Sequence, residues 1–385
     1  MTTENSIAIN PEEDSLDIFV NDNVTTVRTY SNTSADVVLK FALKHATSNW
    51  LLADSRNGPV ARAPGLFITE YHPDFIPVLR SPTRDANPFF HLVEAFYYLA
   101  GRKDVVLPAY FAKQLAAYSD DGETLWGSYG YRWRNHFKVD QLEIIINELR
   151  QDPTSRRCVL QMWDGYLDLN IATGTGGAIK GKDTPCNHAV TFDPKPDGTL
   201  NMTVSNRSND LVWGAYGANM VHFNILHSYV AASVNMRKGV HFQVSSNTHI
   251  YLDNPVVKRL INCVDGKIVL TDEYEKEDTL LVNTPSEIDS YRNLFSPEEF
   301  QGDHSEFVWN LKEVFGSFLE AVDHQSELNW KLFDSDPICV GDTLLSTMDS
   351  YLSYKRGGKD PLGLLPSSQI SWSLACHEWL NRRKK

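Results

Sequence analysis

The period of hydrophobic and polar residues changes several times along the chain, which predicts interleaved helices and strands. Apolar residues at near-helical spacing predict helices that begin near positions 37, 88, 142 and 219. Alternation of apolar and polar residues over 158–163, 189–192 and 242–252 is typical of strands. Asp197–Gly198 lies between two alternating runs and predicts a hairpin turn. The pattern therefore predicts a mixed α/β (α+β) fold, in which a mixed sheet is packed by helices.

One predicted helix carries a carboxylate inside an apolar segment. Asn87 and Pro88 favour a helix start, and Gly101 favours its end. Between them Glu94 is surrounded by leucine, valine, phenylalanine and tyrosine. Two interpretations remain open, namely a solvent-facing or paired glutamate and an acid whose pKa is shifted by burial.

Cys186 lies at the junction of a loop and a predicted strand. It follows Pro185 and precedes the polar pair Asn187–His188. A cysteine in such a place can be reached by a substrate, and a thiol becomes a nucleophile when it is accessible and ionised. Single cysteines are more often structural, so this fragment alone favours a structural thiol over a nucleophile.

Polar residues that could bind an anion or a sugar occur at three further places. Arg156 and Arg157 precede a predicted strand, where they either hold a phosphate or form a solvated pair. A dense polar cluster occupies 206–210. His249 and Tyr251 lie two residues apart on a predicted strand, so their side chains should share one face.

The chain divides by composition into three parts. Residues 1–25 form an acidic, polar leader, 26–264 carry the α/β pattern, and 265–385 form a partly helical C-terminal extension packed on the core. Within the extension one apolar stripe at helical spacing predicts a helix that serves packing more than function. The stripe consists of Phe307, Leu311, Val314, Phe315, Phe318 and Val322.

Charge and cysteine content exclude several classes of function. A net charge of -13 argues against general nucleic-acid binding, so any bound phosphate requires a local cluster of arginines. The five cysteines are scattered without metal-binding spacing, which predicts no disulfide framework and no metal site. Since no signal peptide or membrane span is evident, we expect a cytoplasmic protein without membrane partners, in the host cytoplasm if it is viral.

Taken in order, the motifs of residues 37 to 254 resemble those of thymidylate synthase and its relatives, the pyrimidine-nucleotide hydroxymethylases. The resemblance implies a thymidylate-synthase-like fold. It also implies transfer of a one-carbon unit from 5,10-methylenetetrahydrofolate to C5 of a pyrimidine nucleoside monophosphate, after a cysteine thiolate has added to C6. The motifs are "HLVEAFYYLAGR", "YGYRWR", "DPTSRR", "PCNHAVTF", "NRSND" and "THIYLDN".

The same resemblance assigns roles to residues. Cys186 becomes the expected nucleophile, while Glu94 and Tyr129 move protons to and from the base and C5. Asp210 meets the folate pterin, and no metal is needed. A homodimer is implied, in which two arginines of each chain reach into the partner's site. The implied nucleotide ligands are Arg56, Arg156, Arg157, Arg207, Ser208, Asn219, His249 and Tyr251.

Three departures from the synthase pattern favour a hydroxymethylase. Asn187 follows the cysteine where synthases have histidine, with His188 one place later. The segment "FAKQLAAYSDDGETLW" lacks the tryptophan-rich pattern, and the chain ends "HEWLNRRKK" rather than in a short apolar tail. A site open to water would give a 5-hydroxymethyl product, although a synthase that makes dTMP stays possible.

The identity of the base depends on one alignment. Counting back from the helix stripe places Asn219 against the base, which favours uracil and hence dUMP. Counting forward from Gly214 reaches Ala218, so hydroxymethylation of dCMP or CMP remains an alternative. An inactive relative that serves as a binding or regulatory module is a further hypothesis.

Overall fold

The computed structural model describes residues 5–6, 16–21, 23–175, 181–277, 283–295, 304–328, 339–358 and 360–384. The strands are β1 (Asn5–Ser6), β2 (Leu16–Asn21), β3 (Val24–Thr29), β4 (Leu51–Ser55), β5 (Gly58–Arg62), β6 (Leu66–Tyr71), β7 (Val159–Gln161), β8 (Asn187–Pro194), β9 (Thr199–Asn206), β10 (Asn209–Asp210), β11 (Arg237–Ser245), β12 (Thr248–Tyr251), β13 (Ile261–Val264) and β14 (Lys267–Leu270). The helices are α1 (Ala35–Asn49), α2 (Pro88–Leu99), α3 (Val106–Phe111), α4 (Tyr129–Tyr131), α5 (Gln141–Gln151), α6 (Leu167–Thr173), α7 (Ala218–Ser233), α8 (Pro255–Leu260), α9 (Asp272–Lys276), α10 (Pro285–Arg292), α11 (His304–His324), α12 (Cys339–Lys355) and α13 (Ile370–Asn381).

The central feature is a mixed eight-stranded sheet in the order β1-β2-β3-β6-β11-β9-β8-β7. The pairs β3/β6 and β9/β11 are parallel, and the other neighbours are antiparallel. Along β9 buried and partly exposed residues alternate, because successive side chains of a strand point to opposite faces. A smaller sheet, β10-β12-β5-β4, adjoins it. The predicted mixed α/β fold is confirmed.

Helices α2 and α7 pack against each other and form the centre of the core. Every residue of α2 is buried, because α11, α12 and α13 of the C-terminal region pack against it as well. Phe89 of α2, for example, packs on Tyr351 of α12 at 5.2 Å between ring centroids. The predicted helical stripe of the extension therefore serves packing, with only Val322 partly exposed among its members.

Most predicted elements are present with shifted ends. The predicted strand 158–163 is shorter and forms β7, and the hairpin at Asp197–Gly198 joins β8 to β9. The single strand expected over 242–252 is wrong: the chain turns at Ser246–Asn247, and its two halves belong to different sheets. The turn is held because Ser246 N donates to Asn206 O and Asn247 O accepts from Asn209 N.

Both boundaries of the predicted three-part division, after residues 25 and 264, fall within or next to β-strands. Part of the predicted leader, residues 16–21, forms β2 and pairs with β3, whereas residues 1–4 and 7–15 lie outside the described part. The boundary between 264 and 265 falls inside the β13–β14 hairpin. The division into leader, catalytic domain and extension stays a prediction. Among the described residues, no helix is long and apolar enough to cross a membrane.

Candidate active site

Cys186 stands immediately before β8, where the strand meets β9. Asn187 of β8 pairs with Asn206 of β9, and next to this pair Arg207 N donates to Cys186 O at 3.0 Å. The cysteine is partly exposed, although protein atoms surround it densely. Solvent therefore reaches the thiol in part, and its role as a nucleophile stays a prediction.

The Arg207 side chain is fixed by the loop that carries the cysteine. Its Nε donates to Pro185 O at 2.8 Å, and its Nη2 donates to Thr184 O and Oγ1 at 3.1 and 3.0 Å. The guanidinium also lies 5.3 Å from the centre of the Trp163 ring. Because Arg207 remains exposed, its charge can meet an anion while it holds the cysteine loop.

Burial and charge act in opposite directions on the Cys186 thiol. Burial raises the pKa of the thiol above its ordinary value, and the charges of Asp183 and Asp210 raise it further. Arg207 and Arg56 lower it, as their proximity predicts, but they do not outweigh burial. The net shift of the thiol pKa is therefore upward in the ligand-free protein.

Glu94 is buried and paired, so the solvent-facing interpretation is wrong. Its Oε1 accepts from Tyr98 Oη at 3.1 Å. Its Oε2 lies 2.9 Å from His222 Nε2, a distance typical of an ion pair. The ring N–H of His222 does not point at Oε2, so this contact is not a hydrogen bond. Sequence reasoning missed His222, although it lies one helical turn after Asn219 on α7 and its position could have pointed to it.

Tyr129, at the start of α4, extends this cluster towards the cysteine. Its ring centre lies 5.2 Å from that of Tyr98. Burial raises the pKa of Tyr129 well above its ordinary value, and the charge of Cys186 adds to the shift. Glu94, Tyr98 and Tyr129 are thus neighbours in one buried cluster, and Tyr129 is the member whose charge interacts with that of Cys186.

A second polar cluster joins β10 to β12. Asp210 pairs with His249 in the parallel register, and the ring of His249 lies 4.8 Å from that of Tyr251. Asp210 Oδ1 accepts from Val212 N at 2.7 Å and Trp213 N at 2.8 Å. Burial raises the pKa of Asp210 and lowers that of His249, so their mutual attraction only partly offsets desolvation.

Asn219 lies at the first turn of α7 and is buried. Its Nδ2 donates to Asn209 Oδ1 at 3.3 Å, and Asn209 Nδ2 in turn donates to Ser245 Oγ at 3.1 Å. A side chain at Gly214 would come within 2.3 Å of Asn209 Oδ1, so this close approach requires glycine. Ala218, the alternative from the sequence, has no hydrogen-bonding side chain.

Arg56 and Ser208 lie near Cys186 and Arg207. Arg56 occupies the β4–β5 turn and its Nη2 donates to Lys182 O at 3.5 Å, while its charge lowers the pKa of Cys186. Ser208 directly follows Arg207 and is partly exposed. Both side chains can therefore join Arg207 in binding an anion.

Arg156 and Arg157 are not brought into this cluster. Both are exposed on the loop before β7. Arg157 Nη2 pairs with Glu148 Oε1 at 2.7 Å, at the end of α5. Among the described residues no hydrogen bond or ion pair links either arginine to the surroundings of Cys186. A role across a subunit interface stays a prediction.

Asn187 carries an unused pair of hydrogen-bonding groups. Its side chain is fully buried, and neither its Nδ2 nor its Oδ1 has a partner within the described part of the chain. A buried amide without partners is costly, so such a group points to a ligand that both donates and accepts. The edge of a pyrimidine base offers this combination. The neighbouring His188 is only partly buried, and burial lowers its pKa.

Comparison with known proteins adds a family to this geometry. A family model described as thymidylate synthase matches residues 85–290. Over 198 residues the chain is 51% identical to a deoxyuridylate hydroxymethyltransferase of Pseudomonas phage M6, which covers 51% of this chain and 54% of the relative. It is 33% identical over 216 residues to the protein of the same name from Bacillus phage SP01, covering 52% and 54%. The chain thus spans about half the length of these curated relatives.

Among solved structures, thymidylate synthase from T4 phage superposes with a TM-score of 0.42 at 19% identity, over 57% of this chain and 78% of that one. In the described residues, no group of three or more histidine, cysteine or acidic side chains is arranged to hold a metal ion.

Proposed function

Because the chain belongs to the thymidylate synthase family, as its motifs predict, we propose that it is a folate-dependent pyrimidine hydroxymethyltransferase. It transfers a one-carbon unit from 5,10-methylenetetrahydrofolate to C5 of dUMP and releases 5-hydroxymethyl-dUMP. The observation that carries the proposal is the partly exposed Cys186 thiol beside Arg207, next in the chain to the buried Asn187 amide that has no partner among the described residues. The 51% identity to a phage protein named for this reaction supports it.

In the proposed mechanism the Cys186 thiolate adds to C6 of the base, so that C5 becomes nucleophilic enough to attack the one-carbon unit. The folate supplies that unit as a co-substrate. Glu94, with Tyr98 and His222 on its two oxygens, moves protons at the base. Tyr129, whose ring lies beside that of Tyr98, moves the proton at C5.

The nucleotide is held at its two ends by separate groups. Arg207, Arg56 and Ser208 bind the 5′-phosphate, and Arg156 and Arg157 of a second subunit complete that site. His249 and Tyr251 bind the ribose hydroxyl. Asp210 meets the pterin, since its Oδ1 is occupied by two backbone amides and Oδ2 is left for a ligand N–H.

Uracil is the favoured base because of the orientation of the Asn219 amide. With Nδ2 turned to Asn209 Oδ1, the second N–H can donate to O4 and Oδ1 can accept from N3–H. Binding of cytosine would require the reverse orientation of the Asn219 amide. Asn219 Oδ1 would then face Asn209 Oδ1, and these two acceptors would repel each other unless the Asn209 amide turns as well. Action on dCMP or CMP is therefore the second candidate.

A hydroxymethyl product is favoured over a methyl product because the wall of the site is polar. The segment that lacks the tryptophan-rich pattern contains a short 3₁₀ helix, Lys113–Tyr118, followed by Asp120 and Asp121. Tyr118 is 49% exposed, so this wall admits water instead of excluding it. A synthase needs a dry site for hydride transfer.

We propose that two copies of the chain associate through the outer face of the eight-stranded sheet. On this face Ile68 and Val244 are opposite each other, with Phe242 nearby, and all three are partly exposed. No described element covers them. A twofold dimer buries such a patch against its own copy, and the exposed arginines next to the edge strand β7 lie on the same sheet. The cytoplasm is the expected compartment, because the proposed nucleophile must stay reduced.

A panel of nucleotides tests the proposed function. The protein is incubated with 5,10-methylenetetrahydrofolate and with dUMP, dCMP or CMP in turn, and each nucleotide product is weighed by mass spectrometry. We expect only dUMP to gain a hydroxymethyl group, and Cys186→Ser to give no product. Reaction of dCMP alone would overturn the choice of base. Absence of any product, together with no covalent complex with 5-fluoro-dUMP and folate, would identify an inactive relative.

A further inference from the structure

Asp183 links the cysteine loop to the tyrosine segment. It lies three residues before Cys186, and its Oδ2 accepts a hydrogen bond from Gly127 N at 2.8 Å. Gly127 precedes Tyr129 by two residues. One hydrogen bond therefore fixes the distance between the loop of the proposed nucleophile and the segment of the proposed proton carrier.

The contact between Asp183 and Gly127 is too close for any larger residue. A Cβ atom at Gly127 would lie 2.7 Å from Asp183 Oδ1 and 3.1 Å from Oδ2. The Asp183 carboxyl group therefore lies directly against the backbone of Gly127. It is densely surrounded by protein but keeps some solvent-accessible surface, so water can reach it.

The charge of Asp183 acts on both neighbouring groups of the site. It raises the pKa of Cys186, after the larger effects of burial and Arg207, and that of Tyr129, after the larger effects of burial and Cys186. The carboxyl group therefore lies close enough to both the thiol and the phenol for its charge to act on each. A base attached to Cys186 must lie close to the same groups.

The surroundings also make Asp183 more basic than an ordinary aspartate. Burial raises its pKa, and Asp120 and Asp168 add to the shift, whereas the Gly127 amide and Arg132 oppose it. Arg132 is itself paired with Asp168 at 2.7 Å, so its charge is largely compensated. A carboxylate of raised pKa accepts a proton from water more readily.

We propose that Asp183 is the general base that activates the water which captures the one-carbon unit. The inference rests on the proposed function. After the folate has left, C5 carries an exocyclic methylene and C6 is still bonded to Cys186. Water adds its oxygen to the methylene carbon and its proton passes to Asp183, while the C=C electrons move onto the C4 carbonyl as an enolate. The enolate then re-forms C5=C6 and expels the Cys186 thiolate.

The test is Asp183→Asn, which keeps the size of the side chain and an oxygen for the Gly127 amide but cannot take the proton. We expect formation of 5-hydroxymethyl-dUMP to slow by about 10²- to 10⁴-fold, the usual contribution of a general base. Release of tritium from C5-labelled dUMP, an earlier step, should continue until a covalent adduct accumulates. Added 2-mercaptoethanol should intercept that adduct as a thioether, because a thiolate needs no base.

Two further variants complete the design. Asp193→Asn removes an exposed carboxylate of β8 that pairs with Lys195, and it should leave the product and its rate unchanged. Gly127→Ala displaces the Asp183 carboxyl group without removing it. It should slow the formation of 5-hydroxymethyl-dUMP and let the covalent adduct accumulate, as Asp183→Asn does. It therefore provides a second test if Asp183→Asn does not fold.

The outcomes separate this inference from the proposed function. If the wild-type protein makes no 5-hydroxymethyl-dUMP, the proposed function fails. If the wild type does so and Asp183→Asn is equally fast, or loses tritium release and product formation in the same proportion, Asp183 is not the base for water.

Discussion

At the scale of single residues, opposing effects act on the thiol of the proposed nucleophile. Burial keeps the pKa of Cys186 high, and Arg207 is the first of the groups that lower it. The thiol of the ligand-free protein is therefore largely protonated at neutral pH, since the thiolate forms only as the pH approaches a raised pKa.

Replacing Arg207 by glutamine should make the thiol less reactive. Loss of the positive charge raises the pKa of Cys186 further, so its alkylation by iodoacetamide should begin at a higher pH than in the wild type. Mass spectrometry of the peptide that contains Cys186 separates it from the exposed Cys263. Lys312→Gln, on the exposed face of α11, should leave the profile in place. An unchanged profile for Arg207→Gln would show that burial alone sets the thiol pKa.

Asn219→Asp should change the preferred base. A carboxylate accepts from the N4 amino group of cytosine but repels O4 of uracil, and one mismatched buried hydrogen bond costs about 1–3 kcal/mol. We expect kcat/KM for dUMP to fall by about 10-fold to 100-fold and the ratio of dCMP to dUMP turnover to rise. Ala218→Ser serves as the control, because the neighbouring position should not alter base choice. A shift caused by Ala218→Ser alone would move the base contact to that residue.

At the scale of elements, α2 shows how local signals position a functional group. Asn87 Oδ1 accepts from Phe90 N at 3.2 Å, as its place before Pro88 predicts, and its Nδ2 donates to Phe111 O at 3.0 Å. Gly101 follows the helix with φ of 71°. The cap fixes where the helix begins, and therefore which side of it carries Glu94.

Asn87→Ala should destabilise the fold more than an exposed substitution does. Loss of the cap and of the bond to Phe111 should reduce the free energy of unfolding by about 1–2 kcal/mol. Urea denaturation of the variant measures this as a lower midpoint, with Glu313→Ala on the exposed face of α11 as the control. If the two variants unfold at the same midpoint, the cap contributes nothing measurable.

Sequence alone predicts elements whose signals are local and misses contacts between distant segments. The start of α2 and the β8–β9 turn follow from residues next to each other. By contrast, the break between β11 and β12 depends on pairing with β10 and β5, and the contact of Glu94 with His222 joins α2 to α7. Family motifs identify residues such as Cys186, but the raised thiol pKa depends on burial, which only the packed chain determines.

At the scale of the whole molecule, the proposed function involves two copies of the chain. Arg156 and Arg157 are exposed, and in the part of the chain that the structure describes no hydrogen bond or ion pair joins them to the surroundings of Cys186. Their proposed phosphate contact would therefore be made in trans. The partly exposed apolar patch of the sheet offers the surface through which two copies meet.

Mixing two inactive variants tests this sharing of sites. A Cys186→Ser chain lacks the nucleophile, and an Arg156→Ala/Arg157→Ala chain lacks the shared arginines. In a mixed dimer one of the two sites receives an intact cysteine and intact arginines, so activity should return to at most about half of the wild-type value per mixed dimer. Each variant mixed only with itself is the control. Activity that stays at the level of the controls, in mixtures shown by mass to exchange subunits, would contradict the sharing.

In the proposed function, water and not hydride adds to the methylene group at C5 of dUMP. The direct measurement follows both products of one reaction with dUMP and 5,10-methylenetetrahydrofolate, the nucleotide by mass spectrometry and the folate by its absorbance. We predict equal amounts of 5-hydroxymethyl-dUMP and tetrahydrofolate, with no rise in absorbance from dihydrofolate, because hydroxymethylation leaves the folate unoxidised. Formation of dTMP with an equal amount of dihydrofolate would contradict the account and establish a thymidylate synthase.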